Sequence, residues 1–242
     1  MTTAIARPVL LLLLTLVACV ASATSTPNRW GNFTALYDVV RSGLTVGEIT
    51  LTLEQPEQGR YRYIALTRPV GLARLFTDSA VEERSEGRFT KQGVQPESYR
   101  FDQTGKKKRS VHIHFDWQKG KAQNGSSEHP WSMEINTGIQ DRFGHQLTVM
   151  RAFAEGREAV ELKVADGGSA KTYRFKLLGT ERIRTPAGEF DALKVQRATN
   201  NDPPNYTLWL APSAGFLPVR IYRHDKKLEM ELKRIKGKPL RG

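Results

Sequence analysis

The residues best placed by type and spacing to do chemistry are His112, His114 and Asp116 in "SVHIHFDW". In an extended strand alternate side chains share a face, about 7 Å apart at roughly 3.3 Å rise per residue. Two imidazoles so spaced can grip a transition metal, with His129 or His145 as a source of the third ligand. Yet Val111, Ile113, Phe115 and Trp117 form the opposite, apolar face, which turns the three polar groups towards water. No metal site is assigned. The second cluster is acidic: Glu82, Glu83 and Glu86 in "VEERSEGR" read as a solvated strand face rather than an acid–base pair. There is no G-x-S-x-G elbow, H-E-x-x-H pair, phosphate loop or C-x-x-C. The expectation is no enzyme, no catalytic residue and no cofactor.

The elements that position these residues follow a period of two. Ile49, Leu51 and Leu53 alternate with Glu48, Thr50 and Thr52. Val160, Leu162 and Val164 repeat the pattern before "DGGSA", and Tyr173, Phe175 and Leu177 after it. "TPAG", Thr185 to Gly188, has the chemistry of a type I turn. Leu228, Met230 and Leu232 close the series. Such alternation, broken by turns every 8 to 12 residues or so, predicts antiparallel strands with one buried face. The fold class is all-β: a single curved sheet or barrel-like domain with one amphipathic helix packed on or in it.

That helix is expected over Asp141 to Gly156, with Asp141 as N-cap and Gly156 just past the end. Phe143, Leu147, Met150 and Ala154 make its stripe, flanked by Val149 and Phe153. Residues 118–133 read as a long, exposed and mobile polar connection. "RPVGLARLFTDS", Arg68 to Ser79, reads as a short helical turn or a loop packed across a barrel mouth. In "YTLWLAPSAGFLPVRIYR", residues 206–223, Pro212 and Gly215 turn a hairpin. Pro218 makes its return strand an edge or a bulge, and Trp209 is expected to pack across strands on Tyr222.

Residues 1–23 have the n-region, apolar run and A-x-A ending of a secretory signal, too short for a membrane span of about 20 residues. "LVAC" before Cys19 also fits a lipoprotein box, making Cys19 an alternative lipid anchor. Residues 24–32 are then a flexible lead, 33–236 an antiparallel β domain and 237–242 a frayed basic tail. The expected location is the periplasm, with no transmembrane span in the mature chain. Without its signal the chain has 219 residues and no cysteine, so the core alone must hold it together.

Thirty-seven Lys and Arg against 25 Asp and Glu give a net charge of +12. The clearest basic cluster is Lys106, Lys107, Lys108 and Arg109, at an expected hairpin tip. Aromatic residues do not interleave with it, which argues against nucleic acid. An exported cation of this kind points to anionic envelope surfaces.

"TPAGEFDALKVQR" followed by "LWLAPSAGFLPVRI" resembles the domain-of-unknown-function family 3108, exported proteins of Gram-negative bacteria. "FTALYDVVRSGLTVGEITLTLE", "GLARLF", "FDW" and "QDRFGHQL" extend the resemblance over residues 33–236. It implies a secreted β-rich protein and supplies no catalytic residue. The sequence therefore favours a binding or carrier module for a lipid or other amphiphile, its helix plugging or gating an apolar cavity. Ile113, Phe115, Leu147, Met150, Phe175 and Val219 are the candidate lining residues. The alternative is a filled-core envelope protein that meets anionic components or a protein partner through its basic surface.

Overall fold

A computed structural model describes residues 30–106, 108–125, 130–200 and 202–240. The expected signal, Cys19, Lys107 and His129 lie outside these. The first half is a meander of eight strands: β1 (Phe33–Arg41), β2 (Leu44–Glu54), β3 (Arg60–Pro69), β4 (Val81–Thr90), β5 (Gly93–Gln103), β6 (Arg109–Asp116), β7 (Lys121–Asn124) and β8 (Trp131–Glu134). One helix follows, α1 (His145–Ala154). The second half is a meander of six: β9 (Ala159–Asp166), β10 (Ser169–Thr185), β11 (Gly188–Thr199), β12 (Tyr206–Ala211), β13 (Leu217–Arg223) and β14 (Leu228–Gly237). β14 pairs with β1, so both halves form one antiparallel sheet of 14 strands. Among the described residues no helix is long and apolar enough to cross a membrane.

Alternation sets the inner face. Phe33, Ala35, Tyr37 and Val39 of β1 are buried, as are Tyr61, Tyr63 and Ala65 of β3 and Ile113 and Phe115 of β6. The sheet curls around α1, which is buried on nearly all sides. Leu147 and Met150 join the larger core cluster with Tyr63 and Leu51. Val149 and Phe153 join a second cluster with Val164 and Phe175. Gln140 ties the edge strand β9 to the interior strand β5. Its backbone pairs in parallel with β9 (Nα to Lys163 O 2.8 Å, Ala165 N to its carbonyl 2.9 Å). Its side-chain Nε2 donates to Val94 O on β5 at 2.9 Å.

Several expectations need correcting. The helix is shorter than 141–156: its N-cap is Gly144, and Asp141 caps the preceding turn instead. Its end is as expected. Gly156 has φ 80°, and Gly156 N and Arg157 N bond back to Phe153 O and Ala152 O, a Schellman pattern. Residues 118–133 are not simply a loop, because β7 and β8 extend the sheet there. Of the expected lead and tail, the described residues Trp30 and Leu240 are buried and bridge each other, capping one end. Trp30 also stacks on Phe89 at 5.3 Å. Of the edge or bulge expected at Pro218, the bulge holds: β13 is an interior strand with a register shift there, and Tyr37 Oη donates to the Pro218 carbonyl at 2.9 Å. Trp209 pairs with Arg220, not Tyr222, and its Nε1 donates to Glu181 at 2.8 Å.

Gly87 lies at the β4–β5 register shift, where a Cβ would sit 2.1 Å from Gln95 O and 2.9 Å from Pro96 Cα. Both obstacles are backbone and cannot swing away. Gly87→Ala is expected to destabilise the fold by about 1–3 kcal/mol, the usual cost of overpacking. Chemical denaturation checks this; an unchanged midpoint would contradict the packing.

Candidate functional site

The register places all the hairpin ends that flank β1 on two sides of the sheet. Trp30, Phe89 and Leu240 close one of them. Towards the other, a cavity of about 450 Å³ lies between α1 and the inner face. Its deeper wall is apolar: Leu51, Ala65, Phe143, Met150, Phe175 and Leu210. These come from β2, β3, the α1 lead, α1, β10 and β12, so both halves of the sheet build it. The wall reaches Arg223 and Leu228, the pair that ends β13 and begins β14. The cavity therefore opens at that end.

Near the opening the lining turns polar, with Glu83, Arg142, His145, Tyr173, Arg197, Tyr206 and Arg223. Two of the guanidinium groups have carboxylate partners. Arg142 pairs with Asp166 at 3.4 Å, and Arg223 pairs with Asp225 at 2.7 Å. Arg197 has no ion pair among the described residues. It lies over the rings of Tyr173 (3.9 Å) and Tyr206 (4.7 Å), donates once to Thr199 Oγ1, and leaves its buried Nε without a hydrogen bond. Burial pulls its guanidinium below the usual range. A partly desolvated cation held by ring faces is a favourable partner for an anion.

His145 stands beside it. Burial, followed by the Arg197 charge, holds its imidazole at a pKa of about 3. It is neutral at any physiological pH, edge-on to Tyr173 at 5.2 Å, with a buried Nδ1 that has no partner. Burial also raises the Glu83 carboxyl, against an opposing hydrogen bond from Tyr99 Oη at 2.7 Å.

Behind this wall Asp141 ties the α1 lead to β4. Its Oδ1 accepts Phe143 N (2.7 Å) and Gly144 N (2.6 Å); its Oδ2 accepts Ser85 Oγ–H (2.5 Å). Tyr61 Oη is 3.1 Å from Ser85 Oγ and completes the chain. Asp141 is fully buried, which pushes its pKa up to about 6 against those three donors. Its lone pairs point at structural donors and it does not line the cavity. The negative carboxylate also suits the N-terminal end of the helix.

Of the six residues expected to line a cavity, Met150 and Phe175 do so. Ile113, Phe115, Leu147 and Val219 are packed in filled core. Lys106, Lys108 and Arg109 are exposed at the β5–β6 turn, and Arg109 lies 5.7 Å over Phe101. His112 and His114 are on the outer face, and among the described residues no three metal-ligating side chains cluster. The Glu82–Glu86 expectation divides: Glu82 and Glu86 pair outside with Arg84 and Arg62, while Glu83 turns inward. Arg197 was missed, though its signal was available. It continues the inward step of Leu193 and Val195 by two.

A family model described as a protein of unknown function, DUF3108, matches residues 32–233. The chain belongs to this family. Among solved structures, the DUF3108 chain is similar to a β-barrel-like protein of the domain of unknown function DUF1849 from Brucella abortus. The identity is 12%, over 86% of this chain and 98% of that one, with a TM-score of 0.53. That likeness extends to the fold alone, and it agrees with the curled antiparallel sheet. A Bacteroides fragilis chain with a YmcC-like fold, provisionally named an exported protein, is 14% identical with a TM-score of 0.36, over 87% and 97% of the two chains. A Parabacteroides distasonis chain provisionally named a lipoprotein is 11% identical with a TM-score of 0.37, over 86% and 96%. No curated protein matches.

Proposed function

We propose that this DUF3108 protein is a non-catalytic binding or carrier module of the periplasm that holds an amphiphile with an anionic head. The observation that carries the reading is Arg197, a half-buried cation with a buried, unbonded Nε and no ion pair among the described residues, at the polar end of a cavity whose deeper wall is apolar. A tail would lie against Leu51, Met150, Phe175 and Leu210. A carboxylate or phosphate head would meet Arg197, with Tyr173 and Tyr206 keeping the guanidinium in place. The volume falls within the roughly 300–1,000 Å³ of ligand pockets. The signal-like leader supports an envelope location.

Dodecanoate and dodecanol separate head from tail. Wild-type protein is expected to bind dodecanoate more tightly, and Arg197→Met to lose about tenfold or more of that affinity while dodecanol binding holds. Leu208→Trp, which fills the cavity, should abolish both. Equal dodecanoate affinity in wild type and Arg197→Met, measured calorimetrically, would contradict the role of Arg197.

A further inference from the structure

Of the two readings of the segment between β3 and β4, a short helical turn or a loop packed across the barrel mouth, the first holds. It forms a 3-10 turn, Gly71–Leu75, with no buried residue. Leu72, Leu75 and Phe76 are 75%, 77% and 82% exposed. The turn is fastened to the start of β2, where Val70 N donates to Val46 O at 3.2 Å. Leu44, two residues before Val46, is itself 67% exposed. Four large apolar side chains thus stand out from neighbouring turns, at a cost that folding alone does not offset.

Their surroundings carry an excess of cations over two exposed carboxylates, Asp78 and the Arg223-paired Asp225. The strand order sets four connections side by side at this end: the β13–β14 turn, the β1–β2 turn, the β3–β4 segment and the β5–β6 turn. They carry exposed Lys226 and Lys227, Arg41, Arg74, and Lys106 and Lys108 in that order. None of these six has an ion pair among the described residues. Gly105 of the β5–β6 turn packs onto Ser79 of the β3–β4 segment, where a Cβ would come within 2.9 Å of Ser79 Cα, so these two connections touch. The same end holds the cavity opening, whose wall runs to Arg223 and Leu228.

We propose that this end of the barrel docks on an anionic phospholipid membrane, with Leu72, Leu75 and Phe76 entering the interface and the flanking cations facing lipid phosphates. Charge complementarity selects the occupant. Apolar knobs ringed by unpaired Lys and Arg match a surface that is apolar beneath and negative at its head groups. Each cation close to such a surface strengthens binding by about fivefold, and salt weakens it. The cavity opening would then face the bilayer, which is where an amphiphile enters or leaves. Docking stands apart from what fills the cavity, so either reading can fail alone.

Sedimentation with vesicles tests it, using the purified processed protein. Binding is expected to vesicles of phosphatidylcholine with phosphatidylglycerol and to fall at least tenfold on pure phosphatidylcholine or in high salt. The triple variant Leu72→Ser, Leu75→Ser, Phe76→Ser should also lose at least tenfold with an unchanged melting temperature, since these side chains have no core contacts to lose. Arg41→Gln with Arg74→Gln should reduce the salt dependence. Leu208→Trp should dock like wild type, which separates failure of docking from failure of the cavity reading. A triple variant that binds anionic vesicles as well as wild type would overturn the proposal. So would wild-type protein that ignores vesicles, an outcome that would leave the patch to a protein partner.

Discussion

Asp141→Ala is expected to destabilise the protein by about 3–4 kcal/mol, and Asp141→Asn by less than about 1 kcal/mol. The alanine strands three buried donors, Phe143 N, Gly144 N and Ser85 Oγ–H, each worth about 1–3 kcal/mol when left unsatisfied. Ser85 can recover part of its loss by turning to Tyr61 Oη. The two backbone N–H groups cannot turn. Asparagine keeps an Oδ1 acceptor for both of them and presents its Nδ2 to Ser85 Oγ, which can accept. It also removes a charge whose burial is unfavourable. Gly144 leaves no room for a compensating side chain, since a Cβ there would lie 2.4 Å from Ser85 Oγ. Equal midpoints for the two variants in urea unfolding would show that the Asp141 hydrogen bonds do not anchor the α1 lead.

The second large effect is a pair of opposed pH dependences. His145 has a pKa of about 3 when folded against about 6.5 when unfolded. Below pH 6.5 the unfolded chain takes the proton first, so this group's contribution to stability is lost as pH falls towards 3. Asp141 behaves oppositely. Its folded pKa of about 6 lies above the unfolded value of about 3.9, so the folded state takes the proton first and gains stability as pH falls from 6 to 4. Each slope is about 1.4 kcal/mol per pH unit, and between pH 6 and 4 the two nearly cancel. Removing either unmasks the other. Relative to wild type, Asp141→Asn is expected to lose about 2–3 kcal/mol between pH 6 and 4, and His145→Phe to gain about 2–3 kcal/mol. Phenylalanine suits the site, which is bounded by Tyr173 and Phe175. The exposed carboxylates titrate alike in all three proteins and drop out of the difference. Parallel stability–pH curves would contradict the burial of both groups.

Much of the fold was legible because period-two patterning reports burial directly. The inner sets of β1, β2, β6 and β10 fall where alternation puts them. The elements that were missed lack that signal. β7 and β8 are four residues each and rich in polar side chains, too short to show a period; β7 pairs with β6 and β8 with β7, and only Ala122, Trp131 and Met133 add apolar contact to the core. Asp141 was read as a helix cap from its position before an apolar stripe. Its second oxygen bonds Ser85, 56 residues away, and no local pattern can announce that. The site was less legible than the fold, for a physical reason. A polar residue at an inward position looks like a break in the pattern or a solvated face. Glu83 and Arg197 both keep the inward parity of their strands, Val81–Glu83–Ser85 and Leu193–Val195–Arg197. Parity alone would have placed both inside. Whether four aligned apolar side chains fill a core or wall a cavity depends on how far the sheet curls, which separated Met150 and Phe175 from Ile113 and Phe115.

We propose that the cavity beneath Arg197 carries an anionic amphiphile. Native mass spectrometry tests it most directly, on protein purified from its own envelope without detergent and followed by solvent extraction. The predicted result is one amphiphile per chain with a carboxylate or phosphate head, present in wild type and absent from Leu208→Trp. A bare polypeptide mass for the wild type, or an adduct that survives the cavity-filling change, would contradict it.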